Sequence, residues 1–253
     1  MSLHCSAGRN GRAGPSRIEL IAPVAARDDA LKIINASLRE KGLVRAWRDE
    51  HVAIVSLRTG ERMARTERAA ARFWGTLTTG AHANGFVADA HGRPTHLWIA
   101  QRSPHKATDP GLHDNLIGGG VAEGQSPLEA LVREGWEKAS LSPSQMACAM
   151  AGRVIRVCRD KPEGLQMEGL HRFDLRLPAR TTPQNQDGEV ARFELLPKAQ
   201  TLALAAGSGQ RAAGETMTVD AALVTLDFGL RDGLLPEPPG AAAPGLRAGP
   251  QCA

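Results

Sequence analysis

The chain has 253 residues, 42% of them hydrophobic, 4% aromatic and 23% charged, with a formal net charge of +4. That length and apolar content allow one substantial core and a smaller appendage; no apolar run nears the roughly 18 residues of a membrane-spanning helix and no continuous h-region opens the chain, which argues against membrane insertion and secretion. Basic residues are dispersed and aromatics scarce, so nucleic acid is a poor fit, whereas a small anionic substrate suits the balance.

Residues 1–15 are rich in Gly, Ser and Arg and are expected to be disordered. From Asp28 to Lys41 the apolar positions Leu31, Ile33, Ile34 and Leu38 keep helical period, and Gly42 follows as a C-cap. Val44–Trp47 and His51–Leu57 then read as strands around a charged turn at Arg48–Glu50, and Glu67–Phe73 begins a further helix. These elements make a small α/β domain over residues 16–75. A second domain over 76–233 carries strands, a helix after a glycine run, more strands, an irregular loop, a strand and a closing amphipathic helix at Ala221–Arg231. Residues 234–253 hold five prolines and no periodicity, as expected of a disordered tail. Four cysteines, Cys5, Cys148, Cys158 and Cys252, show no metal or CxxC spacing, which predicts a reducing cytoplasm and no disulfide framework.

The chemistry concentrates at the glycine run Gly118-Gly119-Gly120 and the helix after it. Ser126 is an N-cap and Pro127 takes the first helical position, where its missing N–H costs nothing. Leu128, Leu131 and Val132 recur at helical spacing toward a core, while Glu134, Glu137 and Lys138 share another face. Two carboxylates one turn apart, beside a glycine-rich turn that admits close backbone approach, suit a hard cation such as Mg²⁺ bridging to phosphate oxygens. The competing reading is ordinary surface pairing of Glu134 with Lys138 and Arg133 with Glu137, at about 0.2–0.5 kcal/mol each.

From Gly119 there are five residues to Gln125 and seven more to Arg133-Glu134-Gly135-Trp136-Glu137-Lys138-Ala139-Ser140-Leu141. This resembles a Nudix box in which Gln125 and Lys138 replace two glutamates and Ser140 replaces the terminal glycine. Flanking residues extend the likeness. Trp98, Arg102, Ser103, Lys106, Pro110, Gly111, Asp114 and Asn115 precede the box, and Asn185–Phe193 follows it. Together they are similar to the Nudix subfamily that has an extra N-terminal domain and is associated with thiamin pyrophosphokinase.

The resemblance implies an α/β fold, the Nudix α/β/α sandwich with a mixed sheet, preceded by the small α/β domain. It implies a hydrolase that uses Mg²⁺ or Mn²⁺ to cut a small-molecule diphosphate, with thiamin diphosphate or its oxy and oxo forms as substrate. Glu134, Glu137 and Arg133 form the implied catalytic set; Gly119, Glu134, Glu137 and Glu189 the metal set; Arg102, Lys106 and Lys138 the phosphate set. The residues that meet the substrate ring are unknown, Trp74 and Phe86 reading as core before stacking platforms, and His105 and His113 reading as turn residues. A homodimer is the assembly to look for. The alternative is a weakened Nudix fold that binds a diphosphate or nucleotide, since Lys138 places a cation where a metal ligand is expected.

Overall fold

A computed structural model describes residues 2–6, 17–207 and 216–235. These fall into two units, Met1–Leu77 with Arg159–Met167, and Thr78–Cys158 with Glu168–Ala253. Most of the tail expected to be disordered, and residues 7–15 at the start, lie outside the described residues.

In the first unit, β1 (Ser2–Ser6) pairs antiparallel with β2 (Arg17–Ile21), so an extended strand stands inside the segment expected to lack structure. Helix α1 (Arg27–Glu40) buries Ala30, Leu31 and Asn35, leaves Ile33 exposed, and gives way to Gly42 at φ +70°. β3 (His51–Val55) and β4 (Arg62–Glu67) form an antiparallel pair, and α2 (Ala71–Trp74) follows. Val44–Trp47 is not a strand. Ala46 and Asp49 adopt left-handed φ values of 56° and 58°, which turn the chain where a strand needs extended backbone. The Trp74 indole donates to Asn35 Oδ1 at 2.8 Å, and Asn35 donates to Thr66 at 2.8 Å, so Trp74 is a packing residue of this unit.

The second unit is built on a seven-stranded sheet, β5 (Leu77–Ala88), β6 (Pro94–Arg102), β7 (His113–Asn115), β8 (Ile117–Gly120), β9 (Met150–Lys161), β10 (Gly164–Arg176) and β11 (Val190–Pro197), of which Leu77 and the β9–β10 end at Arg159–Met167 count with the first unit. Their order is β11-β6-β5-β10-β9, with β7 added to β6 and β8 to β5. Helices α3 (Pro127–Ala139), α4 (Pro143–Met146), α5 (Lys198–Ala205) and α6 (Val219–Arg231) complete it. Successive strand side chains point to opposite faces. Accordingly Ala81 and Ala83 of β5 pack with Leu131 of α3, while Phe86 packs with Phe228 of α6. The mixed sheet therefore lies between helices, as the sequence predicts. Phe86 and Phe228 have ring centroids 5.5 Å apart inside the core, which removes Phe86 from the set of stacking platforms. Leu128, expected in the core, is 47% exposed, and Ala130 and Leu131 take the inner face. Cys158 is free and exposed.

Candidate active site

Helix α3 begins with a full capping box. Ser126 accepts from the Glu129 N–H, and Glu129 accepts from the Ser126 N–H at 2.8 Å, so two otherwise orphaned donors are satisfied. At the other end Ser140 takes the left-handed cap at φ 54°, a conformation that favours glycine. Its hydroxyl is put to use there, donating to the Gln184 carbonyl at 2.7 Å while Gln186 donates to it at 3.1 Å. The substituted cap thus fastens α3 to the loop that carries Glu189.

Glu134 and Lys138 both turn inward. The Glu134 carboxylate lies against the Gly119 backbone so closely that a Cβ on Gly119 would sit 2.2 Å from Glu134 Cδ. Lys138 Nζ meets Glu134 at 2.7 Å and Glu189 at 3.2 Å, and it donates to the Gly118 carbonyl. Lys106 Nζ reaches Glu189 at 2.6 Å from the turn after β6, a turn tied to the same loop by the Ser103 N–H donating to the Glu189 carbonyl at 2.8 Å. Arg102 pairs with Asp114 at 2.8 Å and donates to the carbonyls of Thr108 and Asp109, so it braces the loop that holds Lys106. The space left among Arg102, Lys106, Asp114, Lys138 and Glu189 is about 10 Å³, room for about one water.

Two expectations need correction. Glu137 does not join this cluster; its side chain is half-exposed and pairs with Arg133 at 2.8 Å, because it lies on the flank of α3 rather than on the Glu134–Lys138 line. Arg133 in turn bridges Glu137 and, at 2.9 Å, Glu134. Gly118, not Gly119, turns its carbonyl to the cation, since Gly119 is the close-approach position. Gln125 lies outside the pocket lining, and its side-chain oxygen is buried without a hydrogen-bond partner.

Sequence reading missed the polar spine behind the pocket. His82 Nδ1 lies 3.0 Å from Asn115 Oδ1, and Asn115 donates to Asn84 at 3.1 Å and to Thr225 at 3.0 Å. Asn84 donates to Asp174, which is also gripped by Arg231 at 2.7 Å. His113 is fully buried in β7, not a turn residue. The one available signal was polar residues at inward-facing positions of strands that otherwise bury apolar ones.

This fold and this glycine-to-helix site match the model of the NUDIX domain over residues 78–215, more than half of the chain. The chain belongs to the Nudix family. It is 32% identical to Nudix hydrolase 20, chloroplastic, and 34% identical to Nudix hydrolase 24, chloroplastic, both of Arabidopsis thaliana, over 82% and 80% of its own length. It spans about half of each relative, 52% and 54%. Among solved structures, DR0079 from Deinococcus radiodurans is 24% identical, with a TM-score of 0.50 over 70% of this chain and 98% of that one, a likeness of fold. Among the described residues no helix of this Nudix chain is long and apolar enough to cross a membrane.

Nudix enzymes generally use divalent metals such as Mg²⁺ or Mn²⁺. The donor set here does not fit one. Glu134 and Glu189 are both engaged by Lys138, Glu137 is turned away, and among the described residues no group of three or more His, Cys, Asp or Glu side chains is placed to hold a metal.

The electrostatics of the pocket are self-contained. Burial opposes ionisation of Glu189, but the Lys138 charge and the hydrogen bond from Lys106 outweigh it and hold its pKa at about 2. Burial likewise works against the Lys138 ammonium, yet Glu134 and Glu189 more than offset it and raise its pKa. Lys106 is lowered, by burial first and by repulsion from Lys138 and Arg102. Because the folded-state pKa of Glu189 is depressed from 4.5, its contribution is present above about pH 4.5 and is lost as pH falls toward about 2. With partial exposure discounting the shift, roughly 1–2 kcal/mol is expected to vanish across that window. Urea unfolding of wild type against Glu189→Gln at stepped pH checks it: the gap in stability should narrow by that amount, and a constant gap would contradict the assignment.

Proposed function

We propose that this chain is a Nudix hydrolase that cleaves a diphosphate linkage in a small molecule, with the phosphates received by Lys106 and Lys138. The observation that carries the proposal is the convergence of these two buried ammonium groups on the Glu134 and Glu189 carboxylates beside Gly118 and Gly119. With so little free space among them, an incoming diphosphate has to exchange with Glu189 for the two lysines. In that exchange phosphate oxygens take the place of the carboxylate oxygens on the same two donors, and the Glu189 carboxylate, on a side chain already 37% exposed, turns out to solvent. Glu134, held by Lys138 and Arg133, is the carboxylate available to take a proton from attacking water. An open cleft of about 410 Å³, lined by Trp98, Gln184, Arg192 and Phe193, shares Val190 with the pocket and offers space for the rest of the substrate.

The substrate reading is thiamin diphosphate or its oxy and oxo forms, cut to the monophosphate; it is supported by the subfamily-like segments Trp98–Asn115 and Asn185–Phe193. Lys138 turned inward favours a second reading, a Nudix fold that binds diphosphates without turning them over. Phosphate release over thiamin diphosphate analogues, nucleoside diphosphate derivatives and dinucleotides, with Mg²⁺ or with EDTA, separates the two. Release from at least one member supports the hydrolase; binding to several with release from none supports the binding module.

A further inference from the structure

An oxygen-rich point in the second unit is already filled. Two carboxylates, Glu134 and Glu189, and one backbone carbonyl, that of Gly118, converge on a single position, and the group found there is Lys138 Nζ, on a side chain only 10% exposed. Oxygen donors of this kind, carboxylates with a main-chain carbonyl, are what hard divalent cations select. The position is unlike a surface pair, where the ammonium would reach into solvent and the carbonyl would remain within the sheet.

We propose that the Lys138 ammonium is a built-in cation that stands where a divalent metal would bind, so that wild type excludes metal from this point and meets anionic phosphate with its own charge. Removing the ammonium opens the point on which both carboxylates and the carbonyl converge, leaving Glu189 its contact with Lys106 and Glu134 its contact with Arg133, and Lys138→Glu adds a third carboxylate to the same helix face. That one substitution converts the pocket into a divalent-metal site. Helix geometry makes the exchange local: positions 134 and 138 are one turn apart, so the new carboxylate projects beside Glu134 without moving α3. Gly119 keeps the strand backbone close, since no side chain separates it from Glu134.

The test reads metal binding, not turnover, so it stands apart from whether the chain is a hydrolase. Mn²⁺ is titrated into the full chain and followed by electron paramagnetic resonance. Wild type is expected to leave the free Mn²⁺ signal unchanged. Lys138→Glu is expected to bind one Mn²⁺ per chain at least about tenfold more tightly than wild type, with the gain lost in Lys138→Glu combined with Glu189→Gln. Lys138→Gln, which removes the charge and keeps much of the volume, is expected to show a weaker gain and serves if the glutamate variant does not fold. A wild-type Mn²⁺ site abolished by Glu134→Gln or Glu189→Gln would overturn the proposal, as would folded Lys138 variants that bind no more Mn²⁺ than wild type.

Discussion

Gly119→Ala is expected to lower phosphate release by about a hundredfold and to destabilise the second unit by about 1–3 kcal/mol. The new methyl carbon would fall 2.2 Å from Glu134 Cδ and 2.5 Å from each carboxylate oxygen, which no side chain tolerates. Gly119 is anchored in β8 by its pairing with Ala81, so Glu134 has to withdraw rather than the strand. Withdrawal breaks the 2.7 Å contact with Lys138 and the 2.9 Å contact with Arg133 and misplaces the proton acceptor. Combining Gly119→Ala with Glu134→Asp shortens the acid and relieves the clash, so the pair should recover stability without recovering rate. Denaturant melts alongside rate measurements check both halves. Unchanged activity in Gly119→Ala would mean that Glu134 is not where the chemistry occurs.

Asp174→Ala is expected to have the largest effect on stability, a loss of about 3–5 kcal/mol, because it leaves buried arginine charge uncompensated. Asp174 is 2% exposed and receives Arg231 at 2.7 Å, with Arg172 at 3.4 Å. Without it, Arg172 and Arg231 share, among the described residues, the one carboxylate of Asp227, at 2.7 and 2.9 Å, for which Arg153 also competes at 2.6 Å. Space to reorganise is missing too: the guanidinium of Arg172 lies directly over Gly152, where an added Cβ would come within 2.1 Å of it. Asp174→Asn, which keeps the shape and part of the hydrogen bonding, should cost less. Urea unfolding of the two variants checks this order; a loss under about 1 kcal/mol for Asp174→Ala would show that water reaches these arginines.

The parts of this molecule written in local sequence were legible. Ser126-Pro127 set the start of α3, Gly42 ended α1, and the period of Ala221–Arg231 marked the closing helix, because caps and periodicity depend on neighbours a few residues apart. Glu189 was picked out from resemblance, and the structure does bring it to Lys138 across the fold. What escaped was set by long-range packing or by single backbone angles. Helical spacing put Glu134, Glu137 and Lys138 on one face, but a face is wide, and the edge of β8 admits only the Glu134–Lys138 line. Lys138 has one partner near in sequence, Glu134, but the other two that hold its ammonium inward, Gly118 and Glu189, are distant. The spine from Asn115 through Asn84 to Asp174 joins three strands and was invisible for the same reason. At Val44–Trp47 the β-prone composition lost to positive φ at Ala46 and Asp49.

The pocket formed by Glu134, Glu189, Lys106 and Lys138 is the centre of the account, and phosphate release by Glu134→Gln tests it most directly. On whichever diphosphate the wild type turns over, the account predicts a fall of about 10²–10⁴ in rate, while the variant stays folded and still binds the diphosphate through Lys106 and Lys138. A folded Glu134→Gln that releases phosphate at the wild-type rate would contradict it.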